Sequence, residues 1–326
     1  MSVDIRWSRP DLRWAIETYD LHKRFRRTHA VSGLDLRVPV GAVHGLLGPN
    51  GSGKTTTLRM LLGLIRPDGG TMRLLGREVP ADLPEVIDRV GAIVESPKLH
   101  PTITLRRNLE ILATSLGVPR RRVTEVLLEV GLGARGDAQF RRCSLGMKQR
   151  AAIAATLLKE PELLIFDEPT NGLDPAGIHE IRTTLRTLAD AGRTVLVSSH
   201  DLSEVEQVAD SVSVIGRGRL IAEGELSQFL AGAAATVEVE VADNAAAFEA
   251  LRRGGYQSQV VGARLIVSRR DGARPDPSDI ARTLGAADVW PSRLIEQRSS
   301  LEQVYLELTA GEHLSATQGR WSGGAA

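Results

Sequence analysis

Gly48-Pro49-Asn50-Gly51-Ser52-Gly53-Lys54-Thr55 fits the pattern G-x-x-x-x-G-K-[ST] at every fixed position. It follows the apolar run Val43–Leu47 and opens the helical stretch Gly53–Leu64, which is the strand-loop-helix context this chemistry needs. Glycines let the backbone curl so that several N–H groups point inward, and the helix that follows turns its positive end toward them. Lys54 then supplies a mobile charge for the β- and γ-phosphates of a nucleotide, and the Thr55 hydroxyl is a ligand for Mg²⁺. The same residues could form a plain Gly-rich turn; the complete set of fixed positions in the right context argues against it.

Outward from this loop, short β-branched runs alternate with helical stretches. Strands are expected at Ala15–Leu21, Leu34–Val38, Ala42–Leu47, Thr71–Leu75, Gly91–Val94, Glu162–Phe166, Thr194–Ser198 and Ser211–Ile215. Helices are expected at Leu105–Leu116, Val123–Val130, Leu145–Lys159 and Ala176–Ala191. That alternation predicts an α/β domain with a largely parallel sheet, beside a small antiparallel sheet from the early strands. The stretch from about Lys98 reads as a helical subdomain, about 98–160, inserted into the core.

Leu163-Leu164-Ile165-Phe166-Asp167-Glu168 is an apolar strand ending in two carboxylates. A buried strand of this kind places its acidic end at the carboxyl edge of the sheet, where α/β sheets bind ligands. Asp167 is then the candidate to hold Mg²⁺, and Glu168 the candidate general base that polarises the attacking water. Alone, such a pair would read as a solvated turn; beside an intact phosphate loop it reads as chemistry.

At this point the residues resemble one family, the nucleotide-binding subunits of ATP-binding cassette (ABC) transporters, over about Ala15 to Leu230. The resemblance implies a P-loop NTPase cassette that binds ATP with Mg²⁺. It implies roles for the whole loop, Gly48, Pro49, Asn50, Gly51, Ser52, Gly53, Lys54 and Thr55, with Thr56 beside it. Cys143-Ser144-Leu145-Gly146-Met147-Lys148-Gln149-Arg150 matches the family's LSGGQ signature loosely, keeping Ser144 and Gly146, which in the family close on the γ-phosphate held by the opposite subunit. Ser144 is equally a good helix N-cap. Asn171-Gly172-Leu173-Asp174-Pro175 matches the family's D-loop, and Asp174 with Pro175 is also a good helix start. His200, 33 residues after Asp167, resembles the switch histidine that contacts the γ-phosphate, and Phe25 stands where an aromatic stacks on adenine.

Two departures stand out. Glu95 replaces the usual glutamine after the strand Gly91–Val94; it keeps an oxygen ligand for the metal but adds a charge. Leu145 and Met147 replace Gly and Gln of the signature. Ile93-Val94-Glu95-Ser96-Pro97, the altered signature, and the segment Ser300–Thr309 all look like the bacitracin- and daunorubicin-resistance branch of exporters. The resemblance therefore implies a homodimer that sandwiches two ATP molecules and drives a membrane permease on a separate chain. Export of a drug, antibiotic or other hydrophobic cargo is implied, from a cytoplasmic position at the inner face of the cell membrane.

Composition agrees with this reading. The chain has 326 residues, 41 basic and 40 acidic, a net charge of +1 and one cysteine. Near-neutral charge argues against a broad nucleic-acid surface, and one cysteine excludes an intramolecular disulfide framework. No apolar run approaches the ~20 residues a membrane-spanning helix needs, and Met1–Arg13 lacks the apolar core of a secretory signal. Cys143 has no base or metal partner in sequence and is assigned no chemistry. An N-terminal extension, 1–14, is expected to precede the ATPase domain, 15–230. Beyond the Ala-rich shift at Ala231–Ala235, the order strand Thr236–Val241, helix Ala245–Arg253, strands Gln257–Val261 and Arg264–Ser268 around Gly262-Ala263, helix Pro277–Leu284 and strand Val289–Glu296 predicts a ferredoxin-like accessory α+β domain, 235–310. A last helix with Leu301, Val304, Tyr305 and Leu308 on one stripe and a flexible tail, 311–326, complete the chain. The accessory domain reads as a dimerisation or docking module, with ligand-responsive regulation as the other possibility. The competing function is a soluble cassette ATPase of translation or DNA maintenance. Against it stand the single cassette, the absence of heptads and Cys pairs, and a net charge of −2 over 235–326.

Overall fold

The computed structural model describes residues 12–95, 99–232, 236–262, 264–271, 273–297 and 300–306. Expectations on 1–11, on Ser96-Pro97, on Ala263, on Leu308 and on the tail 311–326 lie outside the described residues. The chain divides into two compact units, Met1–Leu226 and Ser227–Ala326.

The first unit opens with strands β1 (Trp14–Phe25) and β2 (Thr28–Pro39), a long antiparallel hairpin, followed by β3 (Val43–Leu47) and helix α1 (Lys54–Leu61). Next come β4 (Gly69–Leu74), β5 (Arg77–Val79), α2 (Leu83–Val86) and β6 (Val90–Ile93). Helices α3 (Leu105–Ser115), α4 (Arg121–Glu129) and α5 (Leu145–Thr156) follow without an intervening strand, as the pattern predicts. The unit ends with β7 (Leu163–Asp167), α6 (Pro175–Asp190), β8 (Thr194–Ser199), α7 (Leu202–Glu206), β9 (Ser211–Gly216) and β10 (Arg219–Glu225). A further helix, α8 (Leu226–Gly232), follows.

Two sheets result. An antiparallel one runs β2-β1-β4-β5, and a six-stranded one runs β10-β9-β3-β8-β7-β6, parallel throughout except for the β9–β10 hairpin. In β3 and β9 every residue is buried, and in β7 every residue but the last is buried or nearly so. Burial along a strand's whole length is the mark of strands covered on both faces. One core packs the helices α3 to α6 against this sheet through Leu109, Val126, Ile153, Phe166 and Leu185. The other joins it to the antiparallel sheet through Leu36, Leu58, Met72, Ile165 and Leu196.

The second unit carries β11 (Thr236–Glu240), α9 (Asn244–Arg253), β12 (Tyr256–Val261), β13 (Arg264–Arg269), α10 (Pro277–Gly285) and β14 (Arg293–Gln297). Its sheet order β12-β13-β11-β14, all antiparallel, is the one a β-α-β-β-α-β chain makes when each helix returns over the same face. Val237, Val239, Leu265 and Val267 alternate along the central strands to pack on Leu251, Ile280 and Leu284 of the two helices. The last strand starts at Arg293 rather than Val289, because Val289 closes the end of α10, donating its N–H to Leu284 O at 3.0 Å. Residues 301–306 are helical.

His44 lies fully buried in β3, its Nδ1 and Nε2 each 2.8 Å from the hydroxyls of Ser211 and Ser213 on β9. Both partners are neutral hydroxyls, and burial pushes the imidazole pKa down to about 3 from 6.5. Between those limits the unfolded chain binds a proton that the folded chain refuses. Stability is therefore greatest above pH 6.5 and falls below it by about 1.4 kcal/mol per pH unit from this group. Urea titrations at pH 7.5 and about pH 5 are expected to show a smaller difference in His44→Asn than in the wild type. An equal difference in the two proteins would show that His44 is not the titrating group.

Candidate nucleotide site

Three neighbouring parallel strands, β3, β8 and β7, bring their carboxyl ends together, and each ends in a candidate residue. The phosphate loop follows β3, His200 follows β8, and Asp167 closes β7. This is the edge at which such sheets bind ligands.

The loop is shaped by close approach. A Cβ on Gly48 would meet Ile215 O at 2.2 Å, so no other residue fits there. Gly51 turns at φ +80° with nothing within 4 Å of where its side chain would be, leaving the face of the loop open. Pro49 and Asn50 are exposed on the outside of the turn, and Ser52, Gly53 and Lys54 are buried inside it. Thr56 is half-buried in the first turn of α1. Lys54 Nζ donates to Gly48 O at 2.6 Å and Pro49 O at 3.4 Å, and lies 3.3 Å from Glu168 Oε1. Thr55 Oγ1 donates to Asp167 Oδ2 at 2.8 Å.

The acidic pair is held from β8. Asp167 and Ser198 are register partners, and the Ser198 hydroxyl donates to Asp167 Oδ1 at 2.5 Å while accepting from Glu168 N at 3.0 Å. Glu168 adopts φ 48°, the left-handed region that non-glycine residues rarely enter. There its Oε2 meets His200 Nδ1 at 2.7 Å. Asp201 caps α7 directly after His200; the Ser203 hydroxyl first, then the backbone N–H groups of Glu204 and Ser203, hold its carboxyl below the usual range. Lys54, Thr55, Asp167, Glu168 and His200, from three separate segments, thus form one cluster, joined by the Lys54–Glu168 ion pair and by hydrogen bonds that pass through Ser198.

The other candidates stand apart from that cluster. Ser144 is exposed and caps α5, accepting from Met147 N at 3.2 Å; Asp174 caps α6, accepting from Gly177 N at 3.0 Å. The two helix starts lie side by side, because Gly146 faces Gly177 so closely that a Cβ on Gly146 would sit 3.4 Å from the Gly177 Cα. Glu95 is exposed and pairs with Arg59 of α1 at 2.6 Å. Phe25 is 47% exposed at the tip of the β1–β2 hairpin, with Lys23 Nζ 5.5 Å from its ring centroid, so it is not a core residue. Burial pushes the Cys143 thiol up, and its sulfur donates to Gln139 O; it is an unreactive packing residue. Sequence patterning misses Ser198, which lies in β8 and meets Asp167 through a pairing register that no local pattern reveals, and Arg59, the partner of Glu95, four residues after Thr55 on α1.

The residues present fit a nucleoside triphosphate with Mg²⁺. Ser52 Oγ is buried without a hydrogen-bond partner inside the loop, a polar group the fold leaves for something else. Thr55 and Asp167 offer adjacent hydroxyl and carboxylate oxygens, the donor types that Mg²⁺ prefers.

The family model described as "ABC transporter" matches residues 31–171. The bacitracin transport ATP-binding protein BcrA of Enterococcus faecalis is 36% identical over 302 residues, spanning 92% of this chain and 98% of that protein. The daunorubicin/doxorubicin resistance ATP-binding protein DrrA of Streptomyces peucetius is 43% identical over 214 residues, 64% of this chain and 65% of that one. Among solved structures, cbiO1 of Clostridium perfringens, part of the transporter complex cbiONQ, superposes with a TM-score of 0.63 at 28% identity, over 68% of this chain and 92% of its own. The fold is that of the cassette in these structures, and the chain belongs to the ATP-binding subunits of the ABC transporter ATPase family.

Proposed function

We propose that this chain is the ATP-hydrolysing motor of an exporter. Two copies hold two ATP molecules, each between the phosphate loop of one copy and Ser144, Gly146 and Asp174 of the other. A permease on a separate chain carries the cargo, a drug, an antibiotic or another hydrophobic molecule. The observation that carries the reading is the cluster in which Glu168 joins Lys54 on one side and His200 on the other. The names of the relatives, one for bacitracin transport and one for daunorubicin/doxorubicin resistance, support this reading. No helix among the described residues is long and apolar enough to cross a membrane. The working position would be the cytoplasmic face of the membrane, reached through that permease.

In this reading Lys54 and the loop N–H groups bind the β- and γ-phosphates, and Phe25 stacks on the base. Thr55, Asp167 and Glu95 would hold Mg²⁺, which supplies charge neutralisation at the phosphates when bound. Glu168 takes the proton of the attacking water through a carboxylate oxygen. His200 orients that carboxylate through Nδ1 and offers its other ring nitrogen to the γ-phosphate. Residues 235–310 serve as an accessory domain for docking or dimerisation, separate from the ATPase domain 15–230.

Purified protein is expected to hydrolyse ATP in a Mg²⁺-dependent way. Isolated from its own cells, it is expected to bring down a polytopic membrane protein. Capture of ribosomes or DNA in its place would overturn the transporter reading and favour a soluble cassette ATPase.

A further inference from the structure

Glu95 follows β6 by two residues, and the structure gives its carboxylate a specific partner. Arg59 Nη2 lies 2.6 Å from Glu95 Oε1. Arg59 belongs to α1, the helix that starts at Lys54, and follows Thr55 by one helical turn. The pair therefore bridges the phosphate-loop helix and the end of β6. Strands β6 and β7 run parallel with Ile93 opposite Phe166, so Glu95 and Glu168 both stand two residues beyond that pair, on adjacent strand ends. The Glu95 backbone sits at φ 98°, outside the regions that non-glycine residues favour, so its direction is imposed by its surroundings.

The electrostatic problem is plain. Asp167 and Glu168 already place two carboxylates at this edge, and a third, unpaired, would repel the phosphates of a nucleotide. Glutamine would avoid this by being neutral. The ion pair achieves the same neutrality while leaving Glu95 Oε2 without a hydrogen bond among the described residues.

We propose that Arg59 is a positioning residue that neutralises Glu95 through this ion pair, so that Glu95 offers an oxygen toward the metal site without an added negative charge there. The inference rests on the nucleotide-site reading above.

The test is nucleotide binding, without turnover. A fluorescent, non-hydrolysable ATP analogue is titrated in EDTA, and Mg²⁺ is then titrated into the complex. The proteins are the wild type, Arg59→Ala, Arg59→Lys, Glu95→Gln and the Arg59→Ala/Glu95→Gln pair. Arg59→Ala is expected to weaken metal-free binding roughly three- to tenfold, and to lower the Mg²⁺ concentration for half-saturation by a similar factor. Freed of its partner, a carboxylate repels the phosphates and attracts the cation. Arg59→Lys keeps the charge and should stay within about twofold of the wild type. In the Glu95→Gln background, removal of Arg59 should change neither constant by more than about twofold. The same shifts in both backgrounds would mean that Arg59 acts on the nucleotide directly, and the proposal fails. Identical binding by all five proteins also overturns it, and leaves the ATPase reading intact. Absence of any nucleotide binding by the wild type would sink the site reading itself, and this inference with it.

Discussion

Glu168→Gln is expected to reduce ATP turnover by about 10²- to 10⁴-fold, the usual worth of a positioned general base, while ATP binding survives. The substitution keeps the shape of the side chain and removes its basicity. The amide oxygen can still face Lys54, whose ammonium lies 3.3 Å from Glu168 Oε1. The other contact, to His200 Nδ1 at 2.7 Å, has a donor or acceptor available whichever way the amide turns. The Ser198 hydroxyl that accepts from the backbone N–H of residue 168 is untouched, so the strained backbone at φ 48° stays in place. With one negative charge fewer beside Lys54, nucleotide affinity should hold or rise. The expected species is an ATP-bound dimer that persists on a sizing column. Near-normal hydrolysis would show that another group takes the proton.

The legibility of this site in the sequence follows the range of the forces involved. The phosphate loop is local: eight consecutive residues specify its glycines, its cation and its hydroxyl, and the structure forms it where expected. The acidic strand is also legible, because burial on both faces forces an unbroken apolar run up to Asp167. Helix starts at Ser144 and Asp174 are marked by residues whose side chains cap in place. What escapes is whatever depends on strand register or on pairing across the fold. Ser198 joins Asp167 only because β7 and β8 align those two residues, and period-2 patterning is silent about alignment when every position is apolar or small. Glu95 is marked in the sequence, but its pairing with Arg59 is not, because that contact joins α1 to the chain beyond β6. Strand β10 is hard to read for a further reason: it pairs on one side only, and in Arg219–Glu225 a short apolar stretch, Leu220–Ala222, is set between charged residues and Gly. In the second unit the clean alternation of Val237, Val239, Leu265 and Val267 carries the register, so the strand and helix order could be read there even though each element is short.

Lys54→Ala is expected to act one step earlier, on nucleotide binding itself. Charge-assisted hydrogen bonds are worth about 1.5–3 kcal/mol each, so losing the ammonium should raise the dissociation constant for ATP roughly 10- to 150-fold. Burial sharpens the effect. Lys54 is only 5% exposed, and its Nζ is fixed against Gly48 O and Pro49 O in the curl of the loop, where water screens the charge poorly. The substitution also strips Glu168 of its cation and leaves a net negative edge formed by Asp167 and Glu168, which adds repulsion to the loss of attraction. Lys54→Arg should not restore binding. The planar guanidinium is larger than the ammonium and holds its donors in a rigid fork, which does not reproduce the point contact of Lys54 Nζ with Gly48 O at 2.6 Å. Circular dichroism should show both variants folded, since the loop backbone is held by the bonds from Ser52 N to Pro49 O and from Gly218 N to Ser52 O. The contrast with Glu168→Gln is the decisive measurement. One variant should bind without turning over, and the other should turn over poorly because it fails to bind. Unaltered ATP affinity in Lys54→Ala would remove the loop from the site, and with it the reason for assigning catalysis to the neighbouring carboxylate.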